Sequence, residues 1–225
     1  LPWRRDREPY HVWLSEVMLQ QTRVEAVRGY YLRFLAELPD ISALAACPPD
    51  RLAKLWEGLG YYSRMRNLQK AAQVIVSQHG GVFPADYAAI RALPGVGDYT
   101  AGAVASICFD RPTPAVDGNV LRVLARVTED PSPVTKQSVK KSYELLLHPV
   151  YEENPGSRGE LTQALMELGA CVCVPNGAPK CALCPLQGFC RAKMNGSWDT
   201  LPVKEAKKPR RQEQLTVFFL SCGRR

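Results

Sequence analysis

The run from Leu93 to Asn119 restricts what this chain can fold into more than any other stretch. Within it, Leu93-Pro94-Gly95-Val96-Gly97-Asp98-Tyr99-Thr100-Ala101-Gly102 reads as an apolar helix end, a glycine-punctuated hairpin and the start of a new helix. So tight a turn leaves the N–H groups of Val96, Gly97 and the helix behind them without partners, and glycine lets a bulky group approach the backbone. Unpaired amides and a helix dipole both favour an anion, and a phosphate is the natural occupant. Further on, Val116-Asp117-Gly118-Asn119 sets a carboxylate at the start of another helix. Taken singly, each feature also has a plainer reading: the hairpin as a simple connection, and Asp117 as an N-cap, since Asp satisfies orphan N–H groups well. Spacing alone leaves both readings open.

The charge balance narrows the partner. With 29 Lys and Arg against 22 Asp and Glu, the net charge is +7 and the pI about 9.0, which points to a polyanion without naming it. The 46% apolar content is ample for one compact domain or two small ones. No run approaches the roughly 20 apolar residues a membrane span requires. No signal peptide is visible, and the first residue is Leu1, not an initiator Met. Localisation in the cytoplasm, on the nucleoid if the source is bacterial, is the expectation.

Along the chain the apolar spacing is helical. Pro9 suits a helix start, where its missing N–H is no loss. Tyr10 to Leu19 reads as a largely buried helix, with Glu16 enclosed by Val12, Trp13, Val17 and Leu19. Desolvation there would raise the pKa of its carboxyl toward the range of a proton donor. The competing reading is a Glu paired with Arg4 or Arg23. Thr22 is placed to cap a second helix, which runs to Leu38. Shorter helices are predicted over Ser42–Ala46 and Asp50–Glu57, then Gly58-Leu59-Gly60-Tyr61-Tyr62 breaks the pattern. These tyrosines, with Ser63, Arg64 and Arg66 behind them, offer a ring for a base stack and cations for a nucleic-acid backbone; half-buried packing is the alternative. Further helices are predicted over Arg64–Gln78, Asp86–Ala92, Thr100–Phe109, Asp117–Val127, Lys136–Leu147 and Arg158–Cys171, with Gly80-Gly81 as a left-handed cap. Strand-like alternation appears only at Leu215–Leu220, so the body of the protein should be all-α.

Eight cysteines would suit a secreted disulfide scaffold if they were evenly spread. They are not. Cys47, Cys108 and Cys222 are scattered, whereas Cys171, Cys173, Cys181, Cys184 and Cys190 crowd into one segment, the pattern of a metal site in a reducing compartment. The spacing suits a tetrahedral zinc or an iron-sulfur cluster.

Several motifs in one order carry a family resemblance: Leu1-Pro2-Trp3-Arg4, Trp13-Leu14-Ser15-Glu16-Val17-Met18-Leu19-Gln20-Gln21-Thr22, Gly58 to Tyr62, the Leu93–Gly97 hairpin, Val116 to Asn119 and the closing cysteines. Together they resemble the helix-hairpin-helix DNA glycosylases, and within them the MutY-type adenine glycosylases. The resemblance covers nearly the whole chain. It implies two helical subdomains with a DNA cleft between them: a six-helix barrel over 10–116 containing the helix-hairpin-helix near 86–109, and an iron-sulfur domain formed by 1–9 and 117–203. Residues 204–225, including Lys204, Lys207, Lys208, Arg210 and Arg211, would be a basic linker and the first strand of a further, Nudix-like domain.

The same resemblance assigns roles. Glu16 corresponds to the acid that protonates adenine at N7, and Asp117 to the charge beside the sugar; Tyr99 and Asn119 support them. Leu1, Trp3, Arg4, Leu19 and Gln163 would line the base pocket, with Gln163 reading the base edge. Gln21, Tyr61, Arg64, Gly95, Val96, Gly97 and Thr100 would contact DNA, with Tyr61 entering the duplex. Cys173, Cys181, Cys184 and Cys190 would ligate a [4Fe-4S] cluster. Three departures stand out. The first cysteine interval is seven residues where the family usually has six. Asp98 stands where many relatives carry a basic residue, either weakening a phosphate contact or capping the new helix. Tyr99 replaces the lysine with which endonuclease III-like enzymes form a Schiff base and cleave the strand. The expected substrate is therefore a duplex with adenine opposite 8-oxoguanine or guanine, flipped and excised by a monomer that leaves an abasic site. Without the further domain, discrimination between the two partner bases should be poor. The alternative is an endonuclease III-like glycosylase and lyase acting on oxidised pyrimidines.

Overall fold

The computed structural model describes residues 1–205 and 213–218. Every regular element among them is helical: α1 (Pro9–Leu19), α2 (Val24–Glu37), α3 (Ile41–Ala46), α4 (Pro49–Trp56), α5 (Tyr62–His79), α6 (Tyr87–Arg91), α7 (Asp98–Phe109), α8 (Gly118–Thr128), α9 (Gln137–Glu152), α10 (Arg158–Glu167) and α11 (Arg191–Asn195). A 3-10 turn at Pro2–Arg4 precedes them, and a π-helical turn at Leu168–Val172 prolongs α10.

Helix α7 is the axis of the molecule. Its residues from Thr100 to Ile107 are all buried, and they are small enough for α1, α6 and α10 to pack closely around them. Gly102 shows how close: a Cβ there would lie 2.7 Å from the carbonyl oxygen of Pro114. Helix α1 is apolar on nearly every side because it is enclosed by α2, α5 and α7. One apolar cluster runs from Trp3 through the α1–α8 helices to Tyr151 and Met166, so both expected subdomains share a core.

The hairpin between α6 and α7 closes as a turn in which the Val96 N–H donates to the Leu93 carbonyl at 3.1 Å, so the Val96 amide expected to lack a partner is paired within the turn itself. Gly95 takes φ +74, a conformation that a side chain would strain, and a Cβ would also strike Asn67. Gly80 and Gly81 likewise adopt the left-handed conformation expected of them.

Some expectations are corrected. Thr22 does not cap α2: Arg23 occupies the cap position without a side-chain bond, and the Thr22 hydroxyl donates back to the Gln20 carbonyl at 3.4 Å. The run Arg158–Cys171 is not one α-helix, because it widens to the π form after Glu167. Residues 213–218 form no strand, and no other described segment is a strand that would supply ladder bonds. Phe219 and Leu220 lie outside the described residues, as do Lys207, Lys208, Arg210 and Arg211 of the basic stretch.

Candidate active site

The site begins with a carboxyl that α1 carries into the core. Glu16 is 3% exposed. Its Oε2 accepts a 2.6 Å hydrogen bond from the hydroxyl of Tyr99, which the hairpin delivers on the first turn of α7. Burial pushes the Glu16 carboxyl above its ordinary range. The Tyr99 bond and the Arg4 guanidinium pull the other way, and Asp117 adds to the upward shift. The phenol is driven well above its usual value, by burial first and then by Glu16 and Asp117, so Tyr99 stays neutral and donates. Arg4 stands 4.0 Å from Glu16 and 3.7 Å from Glu167. Desolvation and ion pairing, set against each other as alternatives for Glu16, are both present.

Opposite lies Asp117, the N-cap of α8. Its Oδ1 accepts from the N–H groups of Asn119 and Val120 at 2.9 and 2.8 Å, and Oδ2 accepts from the Asn119 amide at 2.8 Å. Capping fixes the carboxylate at the positive end of the helix without removing it from the site. Asn119 is held in turn: its Oδ1 accepts from Arg122 at 2.9 Å, and Arg122 also donates to the carbonyls of Gly169 and Cys173, each at 2.7 Å.

Glu16, Tyr99, Asp117 and Asn119 face one cavity of about 630 Å³, walled also by Leu1, Trp3, Arg4 and Leu19. That volume falls within the usual range of small-ligand sites. Helix α10 contributes Met166 and Glu167 to the wall, and the π-helical turn contributes Ala170 and Cys171. Gln163 is not among the residues that line the cavity in this structure; Met166 and Glu167, on the next turn, are. A helical step of three or four from Gln163 reaches Met166 and Glu167, and this was the one signal in the sequence that pointed to them.

The residues expected at DNA divide by exposure. Tyr61 is 60% exposed, and Gln21, Gly95 and Gly97 are at the surface. Val96 and Thr100 are buried, so their side chains do not reach a phosphate, and the Val96 N–H is already paired with the Leu93 carbonyl. Arg64 departs from its expected place on the backbone. It donates to the carbonyls of Val17, Met18, Gln20, Leu59 and Gly60 and to the Thr22 hydroxyl, which occupies both terminal nitrogens. Asp98 is the first residue of α7 and Gly97 is its N-cap, so Asp98 does not cap the helix. Its carboxylate takes a 2.5 Å bond from Arg91, which holds its pKa down, and Arg91 also donates to the Val96 carbonyl.

Residues 14–149 match the model of the HhH-GPD superfamily of base excision DNA repair proteins. The chain belongs to that superfamily. Adenine DNA glycosylases are similar in sequence to this HhH-GPD protein: that of Mus musculus is 43% identical over 96% of the chain, and that of Homo sapiens 44% over 86%. That of Buchnera aphidicola (strain Bp) is 38% identical over 92%. The chain spans 45%, 36% and 58% of these relatives' own lengths. Among solved structures, a thermostable thymine-DNA glycosylase superposes with a TM-score of 0.74 at 27% identity, covering 87% of this chain and 88% of that one. An endonuclease III in a non-covalent DNA complex gives 0.69 at 26%, covering 85% and 86%.

The HhH-GPD chain also gathers its late cysteines. Cys173, Cys181, Cys184 and Cys190 line one cavity with Arg126, Lys193 and Trp198. Arg126 donates to the Cys173 sulfur at 3.3 Å, and the Cys190 thiol lies 3.5 Å from the Arg126 carbonyl. Among the described residues no three His, Cys, Asp or Glu close on a point that would hold a single metal ion. Four thiols on one cavity beside a guanidinium are a donor set that suits a thiolate-ligated metal group. Cys171 lines the other cavity, with Asp117 and Asn119.

Proposed function

We propose that this chain is a monofunctional adenine DNA glycosylase, which flips adenine out of a duplex in which it faces 8-oxoguanine or guanine and hydrolyses its N-glycosidic bond. The observation that carries this reading is the 2.6 Å bond from Tyr99 to the buried Glu16, in a cavity that Asp117 also lines. The family membership and the name shared by the sequence relatives support it.

Breaking a purine N-glycosidic bond needs an acid for the base and a negative charge for the cationic sugar. Glu16 has the burial of an acid. Tyr99 donates to Oε2, which leaves Oε1 to carry the proton toward N7 of the everted base. As the bond between C1′ and N9 breaks, its electron pair goes to the base. Glu16 is then a carboxylate, which the Tyr99 bond and Arg4 stabilise. Asp117, fixed by Asn119 and the α8 amides, supports the sugar cation. Water adds to C1′ and gives its proton to Glu16, leaving an abasic site. Tyr99 has no amine with which to attack the sugar, so strand cleavage through a Schiff base has no agent at this position. Cys173, Cys181, Cys184 and Cys190 would hold a [4Fe-4S] cluster, which when bound supplies a rigid brace beside α8. The barrel over 10–116 and the second subdomain of 1–9 and 117–203 would close on DNA from either side of the cavity.

The test is single-turnover incubation with a duplex containing adenine opposite 8-oxoguanine. Adenine release is expected, with strand breaks only after alkali and no covalent trapping by borohydride. Breaks without alkali, or efficient trapping through the hairpin, would indicate the endonuclease III-like lyase instead.

A further inference from the structure

Four described residues other than glycine have a left-handed backbone: Gln21, Tyr61, Asp110 and Glu129. Asp110 and Glu129 close α7 and α8 as ordinary left-handed caps. Gln21 and Tyr61 have no such excuse. Gln21, at φ +56, lies in the turn after α1. Tyr61, at φ +47, opens α5, where an N-cap is normally extended. Both side chains are exposed, and strain of this kind persists only where the surroundings hold it and collects at functional sites.

One side chain does the holding for both. The Arg64 Nη1 donates to the carbonyls of Val17 and Met18, each at 3.0 Å, and of Gln20 at 2.5 Å. Its Nη2 donates to the carbonyls of Leu59 at 3.1 Å and Gly60 at 3.3 Å, and to the Thr22 hydroxyl at 3.3 Å. The guanidinium thus grips Gln20 and Thr22 on either side of Gln21, and Gly60 immediately before Tyr61. Its Cζ lies 5.4 Å from the centroid of the Tyr61 ring and 5.6 Å from that of the buried Trp56 ring. Lysine cannot reproduce this, since a single ammonium has neither the fork nor the stacking plane.

We propose that Arg64 is a positioning residue that locks Gln21 and Tyr61 into one rigid wedge, which parts the stack of a duplex as the target nucleotide leaves it. The inference rests on the glycosylase reading only in taking a duplex as the substrate. An exposed ring on a fixed backbone can enter a base step, whereas the same ring on a relaxed loop is displaced by it.

The test is Arg64→Lys, read by the fluorescence of 2-aminopurine placed beside the base opposite adenine, with protein at saturation and a 2′-fluoro adenosine that resists excision. Wild-type protein should unstack the probe and raise its emission. The variant, with a melting temperature within a few degrees of wild type, should bind yet give less than half of that rise. On cleavable substrate it should lose at least tenfold in single-turnover excision. An undiminished rise at equal occupancy overturns the proposal. Should Arg64→Lys fail to fold, Thr22→Val removes one contact of the grip: a smaller rise supports the proposal and an unchanged one overturns it. A wild-type rise without adenine release would leave this inference standing and sink the proposed activity.

Discussion

Glu16 illustrates how a proposed proton donor sits against the stability of its own fold. Burial disfavours its charged form, so its folded pKa lies above that of the unfolded chain, and only the Tyr99 bond and Arg4 offset this. As pH rises between those two values the folded protein retains a proton that the unfolded chain releases, and stability falls with increasing pH through that window. Glutamine at this place keeps an acceptor for Tyr99 and removes the charge. Glu16→Gln should therefore abolish adenine release while melting higher than wild type at pH 8, and no higher at pH 4. With about 1–3 kcal/mol at stake for a buried group of this kind, and roughly 2–4 °C per kcal/mol in a chain of this size, calorimetry at the two pH values resolves the difference. Apolar neighbours announced the burial of this carboxyl. Nothing local announced Tyr99 as its donor, because that contact joins residues 83 positions apart.

The helices set the precision of the site. Helix α8 presents Asp117 and Asn119, and the π-helical turn after α10 lies directly on its first residues. A Cβ at Gly169 would come within 2.5 Å of the Asn119 Cβ and 2.9 Å of its backbone. Gly169→Ala should push the turn away from α8, cost about 1–3 kcal/mol as an overpacked contact, and draw Asn119 off Asp117. A lowered melting temperature together with at least a tenfold loss in single-turnover rate is expected, and an unchanged rate in a folded variant would show that Asn119 does not depend on this packing. The π turn was hidden in the sequence. The apolar period of Leu161, Leu165, Met166 and Leu168 is helical throughout, and the widened turn lies where the chain packs against α8.

At the scale of the molecule, α8 also joins the two cavities. Arg126, 4% exposed, donates to the carbonyls of Val174, Trp198 and Leu201 and to the Cys173 sulfur, and so ties the cysteine segment to the helix that Asp117 opens. Protein purified without oxygen is expected to be brown, with a broad visible absorption. Stripping its iron should lower the melting temperature, because metal-binding free energy is also folding free energy; colourless protein containing zinc would replace the cluster with a single ion. The sequence by itself determined that the chain would be helical, that a glycine-punctuated hairpin would precede a small-residue helix, and that a buried carboxyl, a helix-opening carboxylate and a run of thiols would come in this order. These are local properties, written in periodicity, glycine placement and spacing. Only the tertiary structure decided which groups meet. It put Met166 and Glu167, not Gln163, in the cavity wall, turned Arg64 from an expected phosphate contact into an internal clamp, and gave Asp98 to Arg91. Such pairings depend on the rotation and approach of whole helices, which side-chain packing sets across the core and no neighbouring residue encodes.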